Sequence, residues 1–142
     1  MPPLPAVDAA SVIQLFEQYR LEGELLHLVI ADLVSDLYIG EVMVMMREHR
    51  TGEFGCGLLE RVRGRGVATE ALRMFARWSV TAIDIGRLQV LVGRENMPGL
   101  RLSERAGFRR EGVLRAYWEH DGLRLDVVVL AMLPDEISGA LR

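Results

Sequence analysis

The sequence predicts an α/β fold: one domain in which a mixed, mostly antiparallel twisted sheet is flanked by helices. Three observations carry this expectation. Residues 25 to 60 hold three apolar, β-rich runs parted by turn residues, the hydrophobic period becomes helical after Gly66, and an Asp121-Gly122 dipeptide joins two more runs near the C-terminus. A length of 142 residues suits one core, and no repeat, low-complexity tract or linker divides residues 1–142.

Residues 1–7 read as a flexible, proline-rich lead. Asp8 can cap a helix running to about Leu21, with Ala9, Val12, Ile13 and Phe16 at helical spacing and Gly23 closing it. Leu25 to Leu33, Leu37 to Met46 and Glu53 to Glu60 form an antiparallel meander, turned at Ser35-Asp36 and at Arg50, Thr51 and Gly52. Met43, Met45 and Met46 read as core filler. Ala68, Ala71, Leu72, Phe75, Ala76 and Ser79 then trace one stripe of an amphipathic helix, with Glu70, Arg73 and Arg77 opposite. Leu88 to Val92 is a short strand and Asn96 to Ala106 a second helix, ended by Gly107 and Phe108. Val113 to Glu119 and Leu123 to Leu133 make a hairpin turned at Asp121-Gly122. This order calls for a single parallel crossover, between strands 53–60 and 88–92.

All 17 basic residues are Arg. The absence of Lys excludes a Walker-type phosphate lysine, a Schiff-base lysine and an SxxK serine activator. Cys56 is the single cysteine, and three scattered histidines, His27, His49 and His120, lack the clustered spacing of a zinc site, so no metal is expected. The N-terminus has no secretory signal pattern and no apolar stretch is long enough to span a bilayer, which points to a soluble protein in a reducing, cytoplasmic setting. The net charge of −3 is unevenly spread: residues 1–60 carry ten acids and three Arg, residues 61–142 fourteen Arg and ten acids. The second half can therefore welcome an anion, and the first a cation.

The most informative stretch is Leu58 to Leu72, where a strand runs through a glycine-rich turn into a helix. Gly64 and Gly66 let backbone N–H groups approach an anion, the helix N-terminus adds unpaired donors, and Arg61, Arg63 and Arg65 add charge. A tight connection whose glycines only satisfy geometry has the same look. The P-loop fails for want of a lysine, and the dinucleotide fingerprint fails because its third glycine position falls on Thr69.

Arg63-x-x-Gly66-x-Ala68 resembles the Arg/Gln-x-x-Gly-x-Gly/Ala pyrophosphate loop of the GNAT acyl-CoA N-acyltransferases. Thr69 to Leu72, Asn96, then Arg105 to Phe108 and Glu111-Gly112 continue the likeness towards the ribosomal-protein N-terminal acetyltransferase (RimJ/RimL-like) branch, over roughly residues 24 to 134. The resemblance implies a GNAT-like domain that uses acetyl-CoA as co-substrate, without a metal. Its pyrophosphate would rest on the amides of Val62, Arg63, Gly64, Arg65, Gly66, Val67, Ala68 and Thr69, and its pantetheine would lie near Leu58 and Leu59. Gly55 and Gly57 in that strand fit close approach by a ligand or a bulge. Asn96 matches the family's cofactor-contacting asparagine and is equally placed to cap a helix.

By the same pattern the serine that often follows that asparagine is Gly99, the tyrosine often used as general acid is Ser103, and the strand and helix that normally open the fold are missing. Glu53 occupies the position where several branches carry the base, with an exposed strand-end carboxylate as its plain alternative; Glu60, Glu119 and His120 are weaker candidates. Of Tyr117 and Trp118, adjacent in a strand, at most one faces an acceptor pocket. The function implied is acetyl transfer from acetyl-CoA to a primary amine, on a protein N-terminus or a small molecule, the alternative being a non-catalytic acyl-CoA-binding or regulatory module. Neither nucleic acid nor membrane is expected as a partner. A homodimer is expected, because residues 27–34, HLVIADLV, would form a long apolar edge without proline or arginine.

Overall fold

A computed structural model of the chain describes residues 21–139 together with Gln14 and Gln18. Gln14, Gln18 and Leu21 are helical; the rest of the helix expected from Asp8, and the lead at 1–7, lie outside the described residues. Six strands follow: β1 (Leu25–Ala31), β2 (Tyr38–Arg47), β3 (Thr51–Leu58), β4 (Arg87–Gly93), β5 (Arg109–His120) and β6 (Leu123–Met132). Three helices accompany them, α1 (Val67–Ala82), α2 (Met97–Ala106) and α3 (Pro134–Gly139). The strands form one sheet in the order β1-β2-β3-β4-β6-β5.

The expected meander is present, with β1–β2 and β2–β3 antiparallel. β3 and β4 are the parallel pair, joined by α1 as the crossover. Their ladder is only three residues long, Thr51↔Arg87, Gly52↔Leu88 and Glu53↔Gln89, and the strands then diverge. α1 buries the expected stripe of Leu72, Phe75, Ala76 and Ser79. Phe54 on β3 sits 5.9 Å from Phe75 and 5.1 Å from Phe108, ring centre to ring centre. This aromatic cluster pins the diverging part of β3 to α1 and to the turn that closes α2.

Several expectations change. β3 begins at Thr51 and ends at Leu58, so Thr51 and Gly52 pair with β2 as strand residues and the turn before them is a 3-10 stretch at Glu48–Arg50. β5 begins at Arg109, four residues early, since Gly107 at φ +106 ends α2 and the chain enters the sheet at once. Two register shifts interrupt β5, at Arg110/Gly112 and Leu114/Trp118, so simple alternation is lost from its sequence. Within the second, Ala116 has φ +51 and its N–H donates to Asp126 Oδ1 at 2.8 Å. α3, with Pro134 at its start and acids in its first turn, was not expected. Of the three methionines read as core filler, Met46 packs against the core but Met45 is 41% exposed, because it lies on the sheet face opposite α1. Finally, β3 keeps an unbroken register against β2 through Gly55 and Gly57, so the bulge reading of those glycines is excluded.

Candidate active site

The glycine-rich turn builds an open cradle. After β3 a 3-10 turn at Glu60–Val62 uses the N–H groups of Val62 and Arg63, bonded to Leu59 O at 3.0 Å and Glu60 O at 3.1 Å. Gly64 and Gly66 then take φ +77 and +76, which an L side chain adopts only with strain. The first bond of α1 runs from Glu70 N–H to Gly66 O at 3.1 Å, so the N–H groups of Val67, Ala68 and Thr69 precede the helical ladder and point off its N-terminus. A Cβ on either glycine would meet nothing within 4 Å: the space above the turn is empty.

A cavity of about 360 Å³ opens there, lined by Leu58, Arg63, Gly64, Gly66 to Thr69 and one face of α2. Arg63 folds over it, with Nε donating to Leu58 O at 3.1 Å. Leu58 thus meets the cavity, whereas Leu59 and Arg65 do not line it, and Val62 turns its side chain into the core at 8% exposure. A second cavity of about 190 Å³ fills the gap where β3 and β4 part, between Phe54 to Cys56 and Val90 to Gly93. The two share Gly99 and Leu102 of α2, so the inner cavity adjoins the one at the glycine turn, and together they are called the cleft below. Along it β3 lacks a strand partner on the β4 side beyond Glu53, leaving edge N–H and C=O groups to a ligand or water.

Asn96 does cap α2: its Oδ1 accepts from Gly99 N–H at 3.1 Å, and the residue also borders the inner cavity. A Cβ at position 99 would lie 2.7 Å from Asn96 Nδ2 and 3.0 Å from Val92, which accounts for glycine there. Ser103 lines the inner cavity at 2% exposure, and its hydroxyl donates to Gly99 O at 2.9 Å. Of the adjacent aromatics, Trp118 reaches the inner cavity while Tyr117 is 52% exposed.

Glu53 sits at the last rung of the β3–β4 ladder, next to Phe54, which borders the inner cavity, and itself lines neither cavity. Gln89 Nε2 donates to its Oε2 at 3.0 Å and Arg47 Nη2 to its Oε1 at 3.3 Å. The chain of contacts continues: Arg87 Nε donates to Gln89 Oε1 at 3.2 Å, and Arg87 forms a two-pronged pair with Glu111 at 2.9 and 2.6 Å. Glu53 is therefore a held carboxylate rather than a loose strand-end one. On the same sheet face Glu41 meets His27 Nε2 at 2.8 Å. Glu60, Glu119 and His120, like Glu53, line neither cavity, but among these four only Glu53 stands at the point where β3 and β4 part. Cys56 lines the inner cavity, and burial, with the Glu41 charge second, pushes its thiol up to about 11.

Sequence reasoning assigned no site role to Arg101 and Arg105, which line the outer cavity, although Arg105 stands in the quoted motif, nor to Cys56 of the inner cavity or to Gln89, which bonds Glu53. The i, i+4 spacing of the two arginines was a usable signal; the others depend on strand register. Among the described residues no group of three His, Cys, Asp or Glu could hold a metal ion, and no helix is long and apolar enough to cross a membrane.

Comparison with known proteins bears on the same region. The sequence model of the acetyltransferase (GNAT) domain family matches residues 2–109. The chain is 29% identical over 134 residues to the uncharacterized N-acetyltransferase p20 of Bacillus licheniformis, covering 93% of this chain and 75% of that protein. It is 32% identical over 124 residues to the probable N-acetyltransferase YjcK of Bacillus subtilis, covering 84% and 68%. Among solved structures, RimJ of Mycobacterium smegmatis in complex with CoA-disulfide aligns with a TM-score of 0.84 at 24% identity, over 99% of this chain and 76% of that one. The spermidine N-acetyltransferase of Vibrio cholerae in complex with CoA and spermine gives 0.84 at 22%, over 95% and 80%. At these identities the structural likeness speaks for the fold alone.

Proposed function

The chain belongs to the GNAT acetyltransferase family, and from that premise we propose that the cleft between β3 and β4 is where it moves an acetyl group from acetyl-CoA to a primary amine. One observation supports this placement above the others. The β3–β4 ladder stops at Glu53↔Gln89, and the gap it leaves holds a cavity that adjoins the one at the open glycine turn and the N-terminus of α1.

In this reading the N–H groups of Gly64 to Thr69 and the guanidinium of Arg63 hold the pyrophosphate. Pantetheine lies along Leu58 and the free edge of β3, its amides taking the place of the absent strand, and the thioester reaches the inner cavity beside Asn96, Ser103 and Cys56. An uncharged amine attacks the thioester carbonyl. The C–N bond forms as the C–S bond breaks, the amine proton passes to Glu53 directly or through water, and the electron pair of the C–S bond leaves on sulfur. The coenzyme thiol resembles a cysteine, with a pKa near about 8.5, so its thiolate can leave without a strong acid. Ser103 lines the same inner cavity, and its hydroxyl hydrogen is engaged by Gly99 O.

The acceptor we infer is cationic in its resting form. Glu41 and Glu53 both lie on the sheet face opposite α1, and Glu53 is only 15% exposed, so an ammonium entering there meets carboxylate before it loses its proton. Deprotonating an α-amine at pH 7 costs roughly 1 kcal/mol, and a side-chain amine near 10.4 nearly 5 kcal/mol. A held carboxylate suits the first more readily than the second. Spermidine and ribosomal-protein acetyltransferases occur among the structural neighbours, one of each type of amine. The free thiol of Cys56 suits a reducing, cytoplasmic setting. A homodimer joined along β1 completes the proposal.

Calorimetry with CoA followed by acetylation assays on a panel of peptides and polyamines tests this. CoA binding in the micromolar range and turnover on one class of amine are expected; no CoA binding would overturn the reading.

A further inference from the structure

We propose that Trp118 is the wall that restricts the donor's acyl group to a short chain, and that an excursion in β5, held by Asp126, puts it there. The inference rests on the acetyl-CoA reading of the cleft and adds the residue that selects among acyl donors.

Leu114 pairs with Val127, so unbroken antiparallel pairing would set Ala116 opposite Leu125. The register shift between Leu114 and Trp118 sets Trp118 there instead. An indole thus stands on the rung that a methyl group would have taken. Ala116, at φ +51, donates its N–H to Asp126 Oδ1 at 2.8 Å, and Arg94 fixes Asp126 in turn, Nη1 to Oδ2 at 3.1 Å and N–H to O at 3.0 Å. Left-handed backbone at a residue with a Cβ is strained, and the bond to Asp126 offsets that strain.

Trp118 borders the inner cavity of about 190 Å³ where the rest of the rim is sparse. On the α1 side the cavity is shut by the buried Phe54, Leu72 and Val92. On the opposite face its lining is Gly55, Leu91, Gly93 and Trp118, and two of these carry no side chain. A Cβ on Gly55 would meet nothing within 4 Å, whereas one on Gly93 would lie 3.8 Å from Trp118 Cζ3. The rim is therefore open over Gly55, two residues from Glu53, and covered over Gly93. An acyl chain that lengthens from a thioester in this cavity cannot grow into the packed core, and on the Gly93 side it meets the indole. Trp118 is 39% exposed, so shortening it opens the cavity to solvent rather than leaving a sealed void in the core.

Calorimetry on the full chain with CoA, acetyl-CoA and butyryl-CoA tests this, beside Trp118→Ala, Asp126→Ala and Asp126→Asn variants whose fold is checked by circular dichroism. The unaltered chain should bind acetyl-CoA about tenfold or more tightly over butyryl-CoA, the least that one misfitting methylene is worth in an apolar pocket. Trp118→Ala should bind the two thioesters alike. Asp126→Ala should narrow the ratio in the same direction, and Asp126→Asn, which keeps an oxygen for the Ala116 N–H, should restore it; a merely structural loss would weaken both ligands and leave the ratio alone. Equal binding of the two thioesters by the unaltered chain, or a preference that survives in W118A, would overturn the wall while leaving the cleft as the CoA site. Should W118A not fold, the ratio in D126A decides the same question. Failure of the unaltered chain to bind CoA or either thioester would instead overturn the acetyl-CoA reading and the wall together.

Discussion

Gln89 donates to Glu53 across the last rung of the only parallel ladder in the described sheet, and the orientation of its amide is set from behind. Arg87 Nε bonds Gln89 Oε1, so Gln89 Nε2 must face the carboxylate. Arg87 is in turn held by both oxygens of Glu111, on the neighbouring side of the sheet. Arg87 and Glu111 thus stand in a chain behind Gln89, while Gln89 from β4 and Arg47 from β2 bond the Glu53 carboxylate directly. If that carboxylate takes the amine proton, Glu53→Gln should lower kcat/KM by about 10² to 10⁴ at neutral pH and spare CoA affinity. Gln89→Leu should lower kcat by less. Steady-state kinetics beside calorimetry separate the two effects, and an E53Q enzyme within twofold of the unaltered one would return Glu53 to a structural role.

Gly66 offers a cleaner probe of the cradle than its φ alone suggests. A Cβ there meets no atom, so Gly66→Ala should still bind CoA while losing about 1 to 2 kcal/mol of stability to left-handed strain. Gly66→Asp adds a negative charge in the same empty space and should abolish CoA binding. Equal affinities for the two variants would remove the turn from the cofactor site.

Cys56 reports occupancy of the inner cavity. Burial raises its thiol to about 11, so only about one thiol in a thousand is ionised at pH 8. Alkylation should be slow, accelerate with pH throughout the range 7 to 9, and slow further when acetyl-CoA fills the cleft. Mass spectrometry of a timed iodoacetamide reaction reads all three; labelling indifferent to saturating acetyl-CoA would place the thioester elsewhere.

Acid should loosen the β5 end of the sheet before the β2–β3 end. Asp126 is held below the usual carboxylate range by the Ala116 N–H and then by Arg94, Glu111 by Arg87, and Glu136 by the Leu133 N–H and then by Arg109. All three anchor β5 or the helix that follows β6. A carboxylate with a lowered native pKa stabilises the fold above its unfolded value and loses that contribution as pH falls through the native one, so the window lies below about pH 4. Hydrogen exchange should show β5 amides losing protection over that range while β2 amides keep theirs. Simultaneous loss would mean that the three carboxylates do not act locally.

The parts legible in the sequence are those where one local rule suffices. Asp121 and Gly122, with φ +50 and +75, make the hairpin turn that their dipeptide announces, and Leu72, Phe75, Ala76 and Ser79 bury as their spacing requires. The Gly64–Gly66 turn likewise sits at a strand-to-helix junction as expected. What stayed hidden depends on long-range register. Nothing between residues 51 and 58 marks where the pairing with β4 stops, yet that point creates the inner cavity and brings Gln89 to Glu53. Met45 carries the apolarity of a core residue, but the register of β2 turns it away from α1. β5 was legible from Val113 to Glu119, but its start at Arg109 and its register shifts at Arg110/Gly112 and Leu114/Trp118 were not, because no local pattern marks them.

β1 leaves one side of its backbone without a strand partner among the described residues, since it pairs with β2 alone. A free edge invites another strand, and β1 carries none of the usual deterrents: no proline, no arginine, and Val29 at 63% exposure beside an apolar turn in which Leu33 and Val34 are almost fully exposed. Association of two copies along this edge would cover that apolar surface and pair the open backbone groups in one step. The competing arrangement has the proline-rich lead folding over the edge and the chain staying monomeric. Light scattering at micromolar concentration distinguishes them, with the dimer expected at twice the 16.0 kDa of the chain. Val29→Arg places a charge on β1 and should dissociate the dimer without unfolding it, because the side chain already reaches solvent. A monomer in the unaltered protein would exclude the dimer, and a dimer indifferent to V29R would move its interface away from β1.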